Sequence, residues 1–287
     1  MLLYRAVPAI TGYNRVLDNL GKVANTGIEL TLRTKNLVGK HFKWESTLNF
    51  AANQNKIVDI YGDQKDDVGN RWFIGKPVSV IYDYNKIGVW QVGEAVVDQD
   101  PTAKPGDLKF QDVNGSKTIT ADDRIVLGQT TPKWIGGLTN TFHYKDFHLN
   151  IFIQTAQGMM KNNNLINFAD QGGRQNLPSV INYWTSTNGG TDFPSVAYNN
   201  TRRYLYPTDA SYTRIKDVTL SYTMPQPILE KLHLGGLSLY VSGRNLATFT
   251  KWIGWDPEAD YDATLGTQSN NYPLVRTYVI GANITLK

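Results

Sequence analysis

One pattern constrains this chain more than any other. Apolar and polar residues alternate with period two over segments of about ten residues, the length at which a tilted strand crosses a bilayer. Seven such segments lie near residues 27–34, 41–51, 134–144, 147–155, 213–223, 236–245 and 276–286. In the first, Ile28, Leu30 and Leu32 alternate with Glu29, Thr31 and Arg33; in the second, Phe42, Trp44, Leu48 and Phe50 alternate with Lys43, Glu45, Thr47 and Asn49. The last sets Tyr278, Ile280, Ala282, Ile284 and Leu286 against Thr277, Val279, Gly281, Asn283 and Thr285. A chain patterned in this way forms antiparallel sheet with one apolar and one polar face.

Two neighbouring segments test that reading. If Lys145 and Asp146 form a two-residue turn, residues whose numbers sum to 291 face each other. Tyr144 then meets Phe147, Phe142 meets Leu149 and Leu138 meets Ile153, while His143 meets His148, Thr141 meets Asn150 and Gly137 meets Gln154. Both strands sort to the same two faces in one register, and a slip by one residue would destroy the agreement.

Alternation alone suits a soluble sandwich, whose apolar face is its core, or a membrane barrel, whose apolar face meets lipid. Connection lengths discriminate. The connections at 35–40, 145–146 and 224–235 are short, those at 52–133, 156–212 and 246–275 are long, and the two kinds alternate strictly. Outer-membrane barrels have short periplasmic turns and long extracellular loops, whereas a sandwich has no reason for that asymmetry. With a periplasmic C-terminus, all three long loops fall outside the cell, and any further strands within 52–133, for instance around Ile81 to Gln91, must come in pairs. Seven strands also leave two edges that lipid cannot satisfy, so a larger barrel is expected to supply the rest. Aromatic residues on the apolar face, namely Trp44, Tyr144, Tyr212, Tyr222 and Tyr278, are expected to form interfacial girdles.

Composition narrows the function classes. Charged residues make up 19% and the net charge is +4, with bases scattered among acids, so the basic stripe of a nucleic-acid binder is missing. The absence of cysteine removes disulfides, thiolate catalysis and zinc–thiolate sites together. No apolar run is long enough for a membrane helix, which leaves a barrel open. The opening residues MLLYRAVPAITGYNR do not read as a signal peptide, so an exported protein would be expected to have a further N-terminal part. There is no G-x-S-x-G, P-loop or H-E-x-x-H motif, and the four histidines have no nucleophile partner, so no enzyme activity is expected.

Six landmarks in order carry a family resemblance: NRVLDNLGKVANTGIEL at 14–30, PGDLKFQDVNGSKTITADDRIVLG at 105–128, TPKWIGGLTNTFHYKDFHLNIFIQ at 131–154, ASYTRIKDVTLSYTMP at 210–225, LYVSGRNLATFTKWIGWDPEAD at 239–260 and YPLVRTYVIGANITL at 272–286. With them the chain resembles the C-terminal region of SusC/RagA-like TonB-dependent transporters of the Bacteroidetes outer membrane. The resemblance implies an all-β, transmembrane antiparallel barrel of 22 strands, of which this chain would be a C-terminal fragment of about seven, with the N-terminal plug and TonB-contacting segment outside it. It also implies a SusD-like surface lipoprotein as partner, energy from the TonB complex, and import of a ligand, an oligosaccharide or alternatively a peptide. The rival from another class is a soluble β-sandwich that binds or cleaves carbohydrate. Barrels of this kind usually finish on an aromatic residue; here Leu286 holds that place and Lys287 follows.

Three groups of residues are candidates for binding. Asp112, Asn114, Ser116, Asp122 and Asp123 have the cadence of an oxygen-rich calcium loop. The family version resembles DxNGDGxITxDD, and Ser116 and Lys117 replace its central acid and glycine, which favours a loop held by its own Asx turns as the alternative to a structural calcium ion. Trp252, Trp255, Asp256, Glu258 and Tyr261 follow the sixth segment, and Tyr183 and Trp184 lie in the preceding long loop. Indole faces beside carboxylates suit sugar rings, and equally suit the packing of a loop or contact with a lid. His143 and His148, paired across the hairpin, are two ligands where a closed metal site needs more, so a polar pair is expected there. No cofactor is otherwise implied.

Overall fold

A computed structural model describes residues 3–287 except 9, 11, 19–20, 63, 95–99, 164–165, 167–180, 255, 259–260, 263–266 and 269–273. Seven strands form one antiparallel sheet in which every chain neighbour is a sheet neighbour. They are β1 (Gly21–Val38), β2 (Phe42–Ile60), β3 (Trp134–Tyr144), β4 (Phe147–Gln157), β5 (Tyr212–Thr223), β6 (Leu234–Thr250) and β7 (Thr277–Leu286). Each overlaps one alternating segment. Strands β1, β2 and β6 run well beyond the alternation, because residues past the membrane-crossing band have no lipid face to keep apolar.

The β3–β4 hairpin keeps the single register read from its sequence, from Tyr144 opposite Phe147 to Trp134 opposite Gln157. Lys145 turns it with a positive φ of 52°. The 39–41 connection is similarly tight, with the Gly39 amide donating to the Phe42 carbonyl at 2.8 Å. The third short connection contains one helix, α1 (Gln226–Lys231), which opens on prolines at 225 and 227 and buries Leu229 against β6.

The two faces differ as the alternation requires. On the polar face, Thr219 on β5 donates to Asp217 at 2.8 Å, and Arg244 of β6 lies 3.4 Å from the same carboxylate. On the apolar face no second sheet covers the side chains among the described residues. Ile280 is 87% exposed, Leu220 41% and Leu30 52%, all on strands with regular partners. A sandwich would bury this face, so the sandwich alternative fails on it. Aromatic rings gather at two levels of the apolar face: Phe42, Trp44 and Phe142 stack near the short turns, and Phe50 packs on Trp134 toward the long loops. Phe142 and Trp134 stand eight residues apart on β3, or roughly 20 Å along a barrel axis for strands tilted by about 40°.

Tyr212 corrects the expected girdle. A bulge at Lys216, between the pairs Ile153–Ile215 and Phe152–Asp217, inserts one extra residue into β5 against β4 and exchanges its faces beyond that point, while β6 in turn carries one more residue than β5, at Asn245 and Leu246. Tyr212 and Arg214 therefore lie opposite to the side that simple alternation assigns them. Tyr212 is buried with Ala156, Met159, Ala210 and Trp252, away from any lipid-facing position.

Candidate functional site

The long connections do not hang as separate loops. Within 52–133, strand Val80–Tyr84 pairs with Arg124–Gln129 and Lys86–Val89 pairs with Leu108–Phe110, so the further strands come as two pairs. Tyr84, Val89, Leu108, Phe110 and Ile119 from this connection share one core with Ile181, Trp184, Tyr204 and Tyr206 from 156–212, and Ile253 from the third connection packs against it. The three connections thus build one cap over the long-loop end of the sheet. Buried Asp83 joins two of them by accepting from the amides of Tyr84 at 2.8 Å and Leu205 at 3.0 Å. Burial raises its pKa, and those amides, with Arg124 and Arg71 nearby, oppose the rise.

Trp184 belongs to that core. Its indole donates to Gln91 at 3.0 Å, and Gly106, at φ +93°, passes so close to its ring that any Cβ would strike it. Tyr183 packs beside it, with its phenol pushed up to about 12 by burial.

Trp252 is 6% exposed, its ring enclosed by protein. Asp256 meets Arg214 at 2.6 Å, and Glu258 bridges Arg214 at 3.1 Å and Lys216 at 3.0 Å. Arg214 is fully buried, and its guanidinium lies over the Tyr212 ring. Lys161, also buried, donates to the Pro257 carbonyl; burial lowers its pKa while Asp256 and Glu258 act against that. These residues clamp the start of the 246–275 connection onto β5. A charge pair of this kind, taken out of water, needs a partner for each charge. Trp255 lies outside the described residues, and of Tyr261 only the backbone pairing with Gln268 is described.

The loop 112–123 is closed by its own amides. Asp112 accepts from Gly115 and Lys117 at 2.8 Å, and Asn114 accepts from Ser116 at 2.8 Å. Asp123, fully buried, accepts from Thr120 at 2.7 Å and Val113 at 2.9 Å. Burial would raise the Asp123 pKa, but the Thr120, Val113 and Asn114 amides outweigh it and the value is lowered. Lys117 turns with φ +62° at the place where the family pattern has glycine. The carboxylates of Asp112 and Asp123 thus accept from backbone N–H donors, as Asx turns do. His143 and His148 lie edge to face with ring centroids 4.6 Å apart and hydrogen-bond through Nδ1. No group of three or more His, Cys, Asp or Glu among the described residues could hold a metal ion.

One feature of the cap escaped the sequence reading. Trp90, buried beside the Lys86–Val89 strand, lines a small cavity with Asp100, Lys109, Phe110 and Gln111. Trp90 stands in the run KIGVWQV at 86–92, where it reads as one more strand residue and gives no local signal of that kind.

No family model matches the chain. It is 32% identical over 310 aligned residues to TonB-dependent receptor P3 of Formosa agariphila, an alignment covering 99% of this chain and 31% of that protein. It is 24% identical to TonB-dependent receptor SusC of Bacteroides thetaiotaomicron, over 97% of this chain and 28% of SusC. Among solved structures, the RagAB peptide importer in its open-open state superposes with a TM-score of 0.76 at 25% identity, covering all of this chain and 31% of that one. The chain therefore spans just under a third of the length of these relatives.

Proposed function

Because the chain belongs to the SusC/RagA-like TonB-dependent receptors, we propose that it forms one side of an outer-membrane transporter that imports an oligosaccharide, with energy passed from the inner membrane through TonB. The observation that carries this reading is the uncovered apolar face of the seven-stranded sheet, set against a polar face laced with hydrogen bonds. Lipid is the medium that stabilises such a face, and water in a lumen suits the other. In this arrangement the short turns and the C-terminus lie in the periplasm and the cap lies outside the cell. The cap would offer the surface on which a SusD-like lipoprotein sits. Binding, lid closure and opening of the channel are conformational steps, so the residues described here need perform no covalent chemistry.

The peptide reading has a relative on its side, the RagAB peptide importer, and the oligosaccharide reading rests on the family resemblance. The tryptophans nominated from sequence do not decide between them, since Trp184 and Trp252 present little open ring surface. Fractionation tests the transporter reading. The chain, expressed with an export signal, is expected in the outer-membrane fraction and to need detergent for extraction. Recovery of folded protein from the soluble fraction without detergent would sink it.

A further inference from the structure

One row of the apolar face breaks its own pattern. The strand registers set Thr34, Ser46 and Asn140 side by side on β1, β2 and β3. On one side of them lie Leu32, Leu48 and Leu138, and on the other Trp44 and Phe142. The polar groups are joined: Asn36 donates to Ser46 at 2.7 Å, Ser46 donates to Oδ1 of Asn140 at 2.7 Å, and the Trp44 indole donates to the same oxygen at 3.0 Å.

A polar group facing hydrocarbon is costly unless a partner satisfies it. Two donors hold Oδ1 of Asn140, so the amide turns its Nδ2 away from them, and Nδ2 has no acceptor among the described residues. Asn140 lies two residues from Phe142, or about 5 Å inside the aromatic level on a strand tilted in this way. The acceptors that a bilayer offers at such a depth are the ester carbonyls of its lipids.

Unmatched positive charge lies at the same end of the sheet. The Lys145 amide donates to the His41 carbonyl at 3.0 Å, which sets the 39–41 and 145–146 turns side by side. Lys145 Nζ lies 5.6 Å from the centre of the Tyr144 ring, which stands on the apolar face, so the ammonium is held toward that face. Neither Lys40 nor Lys145 joins an ion pair among the described residues, and neither does Asp146 beside them. Asn140 and Tyr144 are roughly 10 Å apart along the barrel axis. That span matches the step from a lipid's ester to its phosphate together with the reach of a lysine. A second copy of the chain would bring the same lysines to the same membrane depth, adding like charge where an anion is wanted.

We propose that this strip of β1–β3, with the two turns beside it, seats one periplasmic-leaflet phospholipid with an anionic headgroup, Asn140 donating to an ester carbonyl and Lys40 and Lys145 meeting the phosphate. The inference rests on the transporter reading, which puts this face in lipid.

The test is native mass spectrometry of the detergent-solubilised outer-membrane protein carrying this chain. It is incubated with dioleoyl-phosphatidylglycerol, dioleoyl-phosphatidylethanolamine or glycerol 3-phosphate. Phosphatidylglycerol is expected to be retained ahead of phosphatidylethanolamine, and glycerol 3-phosphate, which has no acyl ester, is expected not to bind. Asn140→Leu, which suits a lipid-facing position, is expected to weaken retention of both lipids about five-fold. Lys145→Gln, at an exposed turn, is expected to weaken phosphatidylglycerol about five-fold and phosphatidylethanolamine less. Unchanged retention in either variant, equal retention of the two lipids by the parent protein, or binding of glycerol 3-phosphate as firm as that of the lipids would each overturn the seat. So would a disulfide between two copies carrying Ser46→Cys, which places a second chain on the strip. All four results leave the transporter reading in place, and that reading fails separately, by recovery of the protein in the soluble fraction.

Discussion

Gly281 on β7 lies beneath the ring of Tyr240 on β6, and a Cβ at that position would meet Cζ, Oη and Cε1 of the ring. The pair works as one unit: the ring covers backbone that a side chain would otherwise shield. Gly281→Ala should destabilise the folded chain by about 1–3 kcal/mol through overpacking, read as a lower urea midpoint in detergent. In a Tyr240→Ala background the same substitution should cost little, and additive costs would contradict the contact. Asp123 makes a second residue-scale prediction. Its folded pKa is lowered, so its contribution is present above the ordinary carboxylate range and lost as pH falls through the depressed folded value. Amide exchange at Val113 and Thr120, corrected for intrinsic rates, should therefore rise on acidification through that window. Asp123→Asn should raise it at neutral pH, because an amide group offers N–H where the loop needs an acceptor, at a cost of about 1–3 kcal/mol.

The cap's attachment is decided by an element, the bulge in β5. Without the extra residue that Lys216 adds to β5 against β4, Arg214 would project to the apolar face and could not reach Asp256. Removing Asp256 takes the shorter ion pair from buried Arg214 and leaves it with the partly exposed Glu258, so Asp256→Ala should loosen the 246–275 connection by about 1–3 kcal/mol, seen as faster proteolysis between Thr250 and Glu258. Glu258→Gln should cost under about 1 kcal/mol because Glu258 is partly exposed. Cleavage rates that do not differ between the two variants would contradict the clamp. The bulge also marks the limit of what the sequence shows. The β3–β4 register was legible because a tight turn fixes both strands locally, and eleven pairs then follow from one. The run Tyr212–Lys216 carries no mark of a skipped residue, so Tyr212 reads as lipid-facing when it is buried. The cap core was illegible for another reason: Tyr84 and Tyr204 are far apart in the chain, and nothing local to either shows that they share a core. Tryptophans beside carboxylates describe a sugar site and a packed, ion-paired loop in the same letters, which is why Trp252 and Asp256 could be nominated but not placed. Trp90 could not be nominated at all.

For the whole molecule, one property separates a membrane wall from every soluble sheet: the apolar face must be what water does not reach while no protein covers it. The chain has no cysteine, so single cysteines report position without background. In β5 below the bulge, Val218, Leu220 and Tyr222 lie on the apolar face and Asp217, Thr219 and Ser221 on the polar face. Cysteines placed one at a time at positions 217–222, in outer-membrane vesicles, are read with a water-soluble maleimide and with a spin label quenched from the lipid phase. Label from water at 217, 219 and 221, and lipid contact at 218, 220 and 222, is the predicted result. Equal access from water at all six, or lipid contact at none, would contradict the account.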